Sequence, residues 1–269
     1  MKVLKFGGSS VGSPESIKKV VNIVGEESGP VVVVVSAFRG VTDQILNMSL
    51  NAAEGNQNYK DDHLQMQKRH LEAVEELVPS GKKEACIHHI NTLFEEIEDL
   101  LYGVYLVRDL ALKTQDHLLS FGERLSSFII SNSFESARCI DARNFIKTDN
   151  SHGKANVNFP LTSNSISSAL ANLEGIAVIP GFIASNEKGQ ITTLGRGGSD
   201  YTAAIIAAAI NASALEIWTD VDGFMTADPR KVSKAYVINS LSYSEALELY
   251  HFGTRVLNTP TLHPAYKKD

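Results

Sequence analysis

Apolar residues follow two rhythms along this chain of 269 residues. Short, mainly apolar runs predict strands over 3–6, where one lysine, Lys5, interrupts, 31–35, 176–180 and 214–218, and between them apolar residues recur every three or four positions, the spacing of amphipathic helices. The β-branched run at 31–35 reads as a strand buried on both faces of a parallel sheet. Ser13 and Pro14 open a helix as N-cap and first helical residue, Ile17, Val20, Val21 and Val24 share one of its faces, and Gly29-Pro30 ends it. Residues 3–35 are therefore a β-loop-α-β unit. Residues 42–134 read as mostly helical, with Leu71, Val74 and Leu77 on one stripe and Ile90, Leu93, Ile97 and Leu101 on another, and with Thr114 as cap of a later helix. Strands over 138–142 and 155–159, a helix over 162–173, a hairpin over 182–194 turned at Asn186-Glu187-Lys188-Gly189, and a last helix over 243–252 complete the pattern. The expected fold class is α/β, a mainly parallel sheet sandwiched between helices, with a helical insertion at about 42–134 in a single domain.

The hydrophobic pattern is interrupted most sharply at 193–202, where Gly195, Gly197 and Gly198 fall within four residues just before the apolar run 203–210. Residues without side chains let the backbone turn tightly and aim its N–H groups at an anion. Ser199 or Asp200 can cap the helix that follows, whose first turn also favours negative charge, and Arg196 adds a planar fork for a carboxylate or phosphate. An ordinary capped strand-to-helix turn has the same composition. Other predicted strand ends carry similar small-residue turns: Gly7-Gly8-Ser9 after Lys5, Ser36-Ala37 leading to Thr42, Gly181-Phe182, and Thr219-Asp220 with Asp222. In open α/β sheets such ends are where ligands bind. Lys5 alone reads equally as a surface lysine with its stem on apolar surface, and Glu123 as a solvated residue or as a buried carboxylate aimed at a cation.

Composition narrows the class. With 43% hydrophobic and 21% charged residues the chain is globular, and a net charge of -6 leaves no broad basic footprint for nucleic acid. Cys86 and Cys139 form no CxxC pair, which disfavours a disulfide framework or a zinc site and fits a reducing cytoplasm. The N-terminus has no signal-peptide pattern and no run approaches a membrane span, so a soluble, untargeted protein without a membrane partner is expected. P-loop, dinucleotide-fingerprint and nucleophile-elbow motifs are absent, as is any metal-spaced histidine pair.

Six segments, taken together and in order, resemble the aspartokinases. They are Lys5-Phe-Gly-Gly-Ser-Ser-Val11; Val34-Val-Ser-Ala37 with Gly40-Val-Thr-Asp43; Phe121-Gly-Glu123; Gly195-Arg-Gly-Gly-Ser-Asp-Tyr201; Trp218-Thr-Asp-Val-Asp-Gly223 with Thr226-Ala-Asp-Pro-Arg230; and Ser242-Tyr-Ser-Glu-Ala246 with Phe252-Gly253. The region around 181–189 is most similar to the kinase half of bifunctional aspartokinase/homoserine dehydrogenases.

The resemblance implies the amino-acid-kinase fold and an ATP-dependent phosphotransferase acting on the β-carboxylate of L-aspartate, the first step toward lysine, threonine and methionine. ATP with Mg2+ is the implied cofactor set, with no metal held by protein ligands alone. By similarity, Lys5 with the Gly7, Gly8 and Ser9 turn would hold the transferring phosphoryl group, and Asp200 would orient Lys5 or act through Mg2+. Thr219, Asp220, Met225, Arg230 and Arg255 would line the nucleotide side. Arg196 would clamp the α-carboxylate of aspartate and Glu123 would accept its α-ammonium, while Ser36, Thr42, Phe182 and Ser199 complete that pocket. Met225 stands where many relatives have Tyr, and Phe252-Gly-Thr-Arg-Val-Leu-Asn-Thr259 departs from the usual Phe-Gly-Ala-Lys-Val-Leu-His-Pro. The family also continues into ACT regulatory domains beyond the length seen here, so a catalytic fragment of a longer, homo-oligomeric protein is expected. Two alternatives stand beside this reading: another kinase of the fold, acting on glutamate, N-acetylglutamate, carbamate or UMP, and a non-catalytic nucleotide-binding module.

Overall fold

The computed structural model describes residues 1–227 and 231–251. In chain order the elements are β1 (Lys2–Phe6), α1 (Pro14–Gly25), β2 (Val31–Val35), α2 (Val41–Glu54), α3 (Tyr59–Leu77), α4 (Ser80–Val107) and α5 (Leu112–Ser133). There follow β3 (Ala137–Cys139), β4 (Lys147–Thr148), α6 (Phe159–Leu170), β5 (Ile176–Pro180), β6 (Ile183–Asn186), β7 (Ile191–Thr193), α7 (Gly198–Ala209), β8 (Ala214–Trp218) and α8 (Tyr243–His251). The main sheet has the order β3-β5-β2-β1-β8, and every neighbouring pair in it is parallel. All its carboxyl ends therefore open on one rim. A small second sheet, β4-β6-β7, contains the antiparallel hairpin whose turn the composition predicted.

β2 shows why the sheet is double-faced. Val31, Val33 and Val35 belong to the core beneath α1 to α5, while Val32 and Val34 belong to the core beneath α6 and α7. Each valine so buried contributes about 1.5–3 kcal/mol relative to exposure. Next to it, β1 puts Lys5 opposite Val34 on one side and Ile217 on the other.

Several boundaries differ from those read in the pattern. Residues 155–159 are not a strand: Val157 makes a single bridge to Thr148, and Asn158 then caps α6 by accepting from the Leu161 amide, with Pro160 in the first turn. The strand expected over 138–142 stops at Cys139 because Asp141 caps a one-turn 3-10 helix, binding both the backbone N–H and the guanidinium of Arg143. Thr114 caps nothing, since α5 already begins at Leu112. Neither Ser199 nor Asp200 caps α7. Gly197, at φ 73°, is the N-cap residue, and Asp200 lies inside the first turn. Among the described residues no helix is long and apolar enough to cross a membrane.

Candidate active site

The rim of the sheet gathers turns from distant parts of the sequence. After β1 the chain bends at Gly7 and Gly8, where a side chain would be crowded: a Cβ on Gly7 would lie 3.3 Å from Lys5 Nζ, and one on Gly8 3.3 Å from the Ala37 carbonyl oxygen. After β2, Gly40 at φ 82° starts α2, so that Thr42 sits in that helix's first turn. After β5, Gly181 lies against the start of α7, where a Cβ would come within 2.6 Å of Ser199 Cβ. Phe182 is held at φ 67°, an unusual conformation for an aromatic residue, with its N–H donating to Thr202 Oγ1 and its carbonyl accepting from Leu194. The N-termini of α2 and α7 both face this rim, and their dipoles favour an anion there.

Lys5 and Asp200 form the centre. Lys5 is 7% exposed, and its ammonium contacts Asp200 Oδ1 at 2.5 Å; that oxygen takes no further hydrogen bond. Lys5 is therefore a buried, oriented cation rather than a surface lysine. Asp200 is committed to Lys5, which leaves Arg196 exposed and, among the described residues, without an ion pair or hydrogen bond.

Glu123 is buried, which removes the solvated reading. It is 3% exposed, and burial pushes its carboxyl up to about 8, with the Ala37 amide and the Lys5 charge pulling only partly the other way. Its Oε2 has no hydrogen-bond partner. At neutral pH it is therefore mostly protonated, a buried carboxyl with one oxygen left unsatisfied. Gly122 makes the placement feasible, since a Cβ there would meet Ala37 Cβ at 2.9 Å, so only glycine lets α5 approach the turn after β2 this closely.

On the other side of β1, a cleft is lined by Phe6, Ser9, Ser10, Ser16, Lys19, Trp218, Thr219 and Asp220. Three residues assigned to the nucleotide side, Ser9, Thr219 and Asp220, thus lie together. Trp218 stacks on Phe6 at 6.0 Å, and Thr219 donates to the Asp220 carboxylate. Met225 stands apart from this cleft, half-buried in a single bridge to Val237. Arg230 and Arg255 lie outside the described residues. Ser36 takes part through its backbone, its N–H donating to the Phe6 carbonyl and its carbonyl accepting from Ser126 Oγ.

Some of the supporting residues carry no motif. Lys19 and Ser16 sit on the polar side of α1, which nothing in its helical spacing separates from ordinary solvated surface. Arg69 on α3 donates to the carbonyls of Arg39 and Gly12 at 3.0 and 2.9 Å, tying together the turns after β1 and β2. Asp116 on α5, 1% exposed, binds the segment at 152–153 and Thr193. Its one sequence signal is a lone charge just before the apolar pair Leu118-Leu119.

A parallel sheet ringed by glycine turns, with a buried lysine at its rim, is the frame of a phosphotransferase. Residues 1–269 match the Amino acid kinase family throughout, and the chain belongs to that family. It is 35% identical over 278 residues to lysine-sensitive aspartokinase 3 of Escherichia coli, covering 99% of this chain and 59% of that protein. It is 32% identical to the bifunctional aspartokinase/homoserine dehydrogenase of Buchnera aphidicola, covering 98% of this chain and 34% of that one. The crystal structure of E. coli aspartokinase III in complex with aspartate and ADP superposes with a TM-score of 0.89 at 32% identity, over 100% of this chain and 60% of the other. The chain thus spans between about a third and three fifths of these relatives' lengths.

Proposed function

We propose that this chain is the catalytic unit of an aspartokinase, transferring the γ-phosphoryl group of ATP to the β-carboxylate of L-aspartate to give 4-phospho-L-aspartate and ADP. The observation that carries the reading is the buried Glu123, with an idle oxygen beside the oriented Lys5–Asp200 pair. An acetylated amino acid or a nucleotide has no ammonium group to use that oxygen. The structural relative's bound aspartate and ADP, and the aspartokinase names of the relatives, support the same choice.

The chemistry asks little of the protein beyond placement. The β-carboxylate is already ionised at neutral pH, with a reference pKa of about 3.9, so no general base is required. One of its oxygens bonds to the γ-phosphorus while the bond to the β,γ-bridging oxygen breaks, and the leaving electron pair stays on ADP. Lys5, fixed by Asp200 over Gly7, would neutralise charge on the transferring group, with the amides of the Gly7-Gly8 turn as donors. Glu123 would take the α-ammonium and Arg196 the α-carboxylate, and Ser36, Thr42, Phe182 and Ser199 would shape the space between. Ser9, Thr219 and Asp220 would line the nucleotide side.

Among the described residues no three His, Cys, Asp or Glu side chains converge as a metal cage. Mg2+ keeps several waters and few protein ligands, so it would arrive on the phosphates of ATP, with the Asp200 carboxylate beside Lys5 as the acidic group at the rim. When bound it supplies further neutralisation of phosphate charge.

The test is ADP release from ATP and Mg2+ in hydroxylamine, which traps acyl phosphates as hydroxamates, across a panel of acceptors. Aspartate-dependent hydroxamate is expected. Turnover with glutamate, N-acetylglutamate, carbamate or UMP in its place would refute the assignment.

A further inference from the structure

We propose that Asp116 is a positioning residue, which anchors the glycine loop at 195–198 to α5 and so sets Arg196 relative to Glu123. The proposal rests on the functional reading above for what those two residues hold. Asp116 is met by three groups, and none of them belongs to its own helix. Thr193 Oγ1 donates to Oδ1 at 2.6 Å, the Gly153 N–H lies 3.1 and 3.0 Å from the two oxygens, and His152 Nδ1 lies 2.9 Å from Oδ2. Its carboxylate is thus saturated in a fully buried setting, which makes this junction stiff.

What it stiffens is the root of the glycine loop. Thr193 is the last residue of β7, and the loop follows after Leu194. Gly195 and Gly197 both have positive φ, so the loop's own backbone is intrinsically permissive and needs to be held from outside. The segment that Asp116 grips then lies on the loop: the Lys154 stem covers Gly195, where a Cβ would come within 3.1 Å of Lys154 Cγ, and the Ala155 N–H donates to the Thr193 carbonyl at 2.8 Å. At its far end the loop is fixed by Asp200 on Lys5. Arg196 is thereby suspended between two anchors, with no hydrogen bond or ion pair of its own among the described residues.

Asp116 and Glu123 are seven residues apart on α5, two turns along nearly the same face and about 10 Å in rise. A single rigid helix therefore carries both the group that would bind the ammonium end of the substrate and the group that locates the arginine for its carboxylate end. α5 would act as a fixed spacer between the two clamps.

The test uses the full chain and three variants, Asp116→Asn, Thr193→Val and Thr193→Ser. Hydrogen exchange of the amides at 194–198 is measured alongside KM for aspartate and for ATP. Asp116→Asn and Thr193→Val should accelerate exchange in that loop while leaving β1 and β2 protected. They should raise aspartate KM roughly tenfold, the effect of losing one charged hydrogen bond, with ATP KM unchanged. Thr193→Ser keeps the hydroxyl and should restore both properties. In an Arg196→Lys background, Asp116→Asn should add little to aspartate KM, because the two act on one clamp. Unchanged loop exchange, or a joint rise of both KM values with general loss of protection, overturns the positioning role. If the wild-type chain turns over a different acceptor while the loop loosens as expected, the anchoring stands and the aspartate assignment fails.

Discussion

Lys5, near the start of the chain, and Asp200, in the first turn of α7, meet at 2.5 Å across the rim of the sheet. The pair is 9% and 15% exposed at its side chains, so each partner depends on the other for compensation of its charge. This gives mutation of Lys5 two readouts. Lys5→Ala should lower kcat by about 10³-fold, the scale for losing a cation at a transferring phosphoryl group. It should also lower Tm, because Asp200 is left unpaired; Lys5→Ala with Asp200→Asn should recover much of that stability and none of the turnover. A single variant with near-normal kcat removes Lys5 from the chemistry.

Glu123 makes a pH signature. The folded chain holds its proton to about 8, whereas the ordinary value is 4.5. Between those values the folded state carries the extra proton, so this group's contribution to stability is complete below about 4.5 and is lost as pH rises toward 8. Glu123→Gln should flatten that slope and melt higher than wild type near pH 8. It should also weaken aspartate binding. Because an ammonium ligand needs the ionised form, aspartate binding to the wild type near pH 7 should release protons, which calorimetry in buffers of different ionisation enthalpy detects. Absence of proton release would separate Glu123 from the ammonium.

Arg196 is exposed and has no hydrogen bond or ion pair among the described residues, so its replacement leaves their contacts in place. Arg196→Lys keeps the charge and loses the fork, and aspartate KM should rise roughly ten- to a hundredfold while ATP KM and Tm stay constant. A parallel rise in both KM values would deny it the role of carboxylate clamp.

Gly181→Ala tests the contact between the turn after β5 and α7. The added methyl would fall 2.6 Å from Ser199 Cβ and 2.7 Å from its Cα, against backbone that cannot swing away. A loss of about 1–3 kcal/mol in stability is expected, as for other overpacked sites, together with reduced turnover. Gly175→Ala meets no neighbouring atom but has φ 69°, so its loss should be one of backbone strain alone, with turnover unaffected.

Much of this was legible in the amino-acid pattern because strand cores and glycine turns are local signals. The run at 31–35 announced a strand buried on two faces, and Gly195, Gly197 and Gly198 announced the tight entry to α7. What stayed hidden depends on contacts between distant segments. Local spacing offered Asp200 only to the helix end, and its pairing with Lys5 was implied by the family resemblance rather than by either neighbourhood. Glu123 could be narrowed to two environments, and only the approach of α5 over Gly122 chose between them. Asp116 and Arg69 carry no spacing signal, since the groups they bind are backbone carbonyls, an amide, an imidazole and a hydroxyl far along the chain.

The position of β1 between β2 and β8 has a consequence for the order in which this protein matures. β1 is synthesised before β8 and remains an edge until residues 214–218 are made, and Lys5 has no Asp200 to meet until α7 exists. Pairings between such distant segments are slow to form and leave an exposed strand in the meantime. The rim therefore assembles last, after nearly all of the sheet has been synthesised. Ligands that occupy it would report on completion of the whole α/β unit, and their binding would stabilise the fold globally rather than one lobe of it.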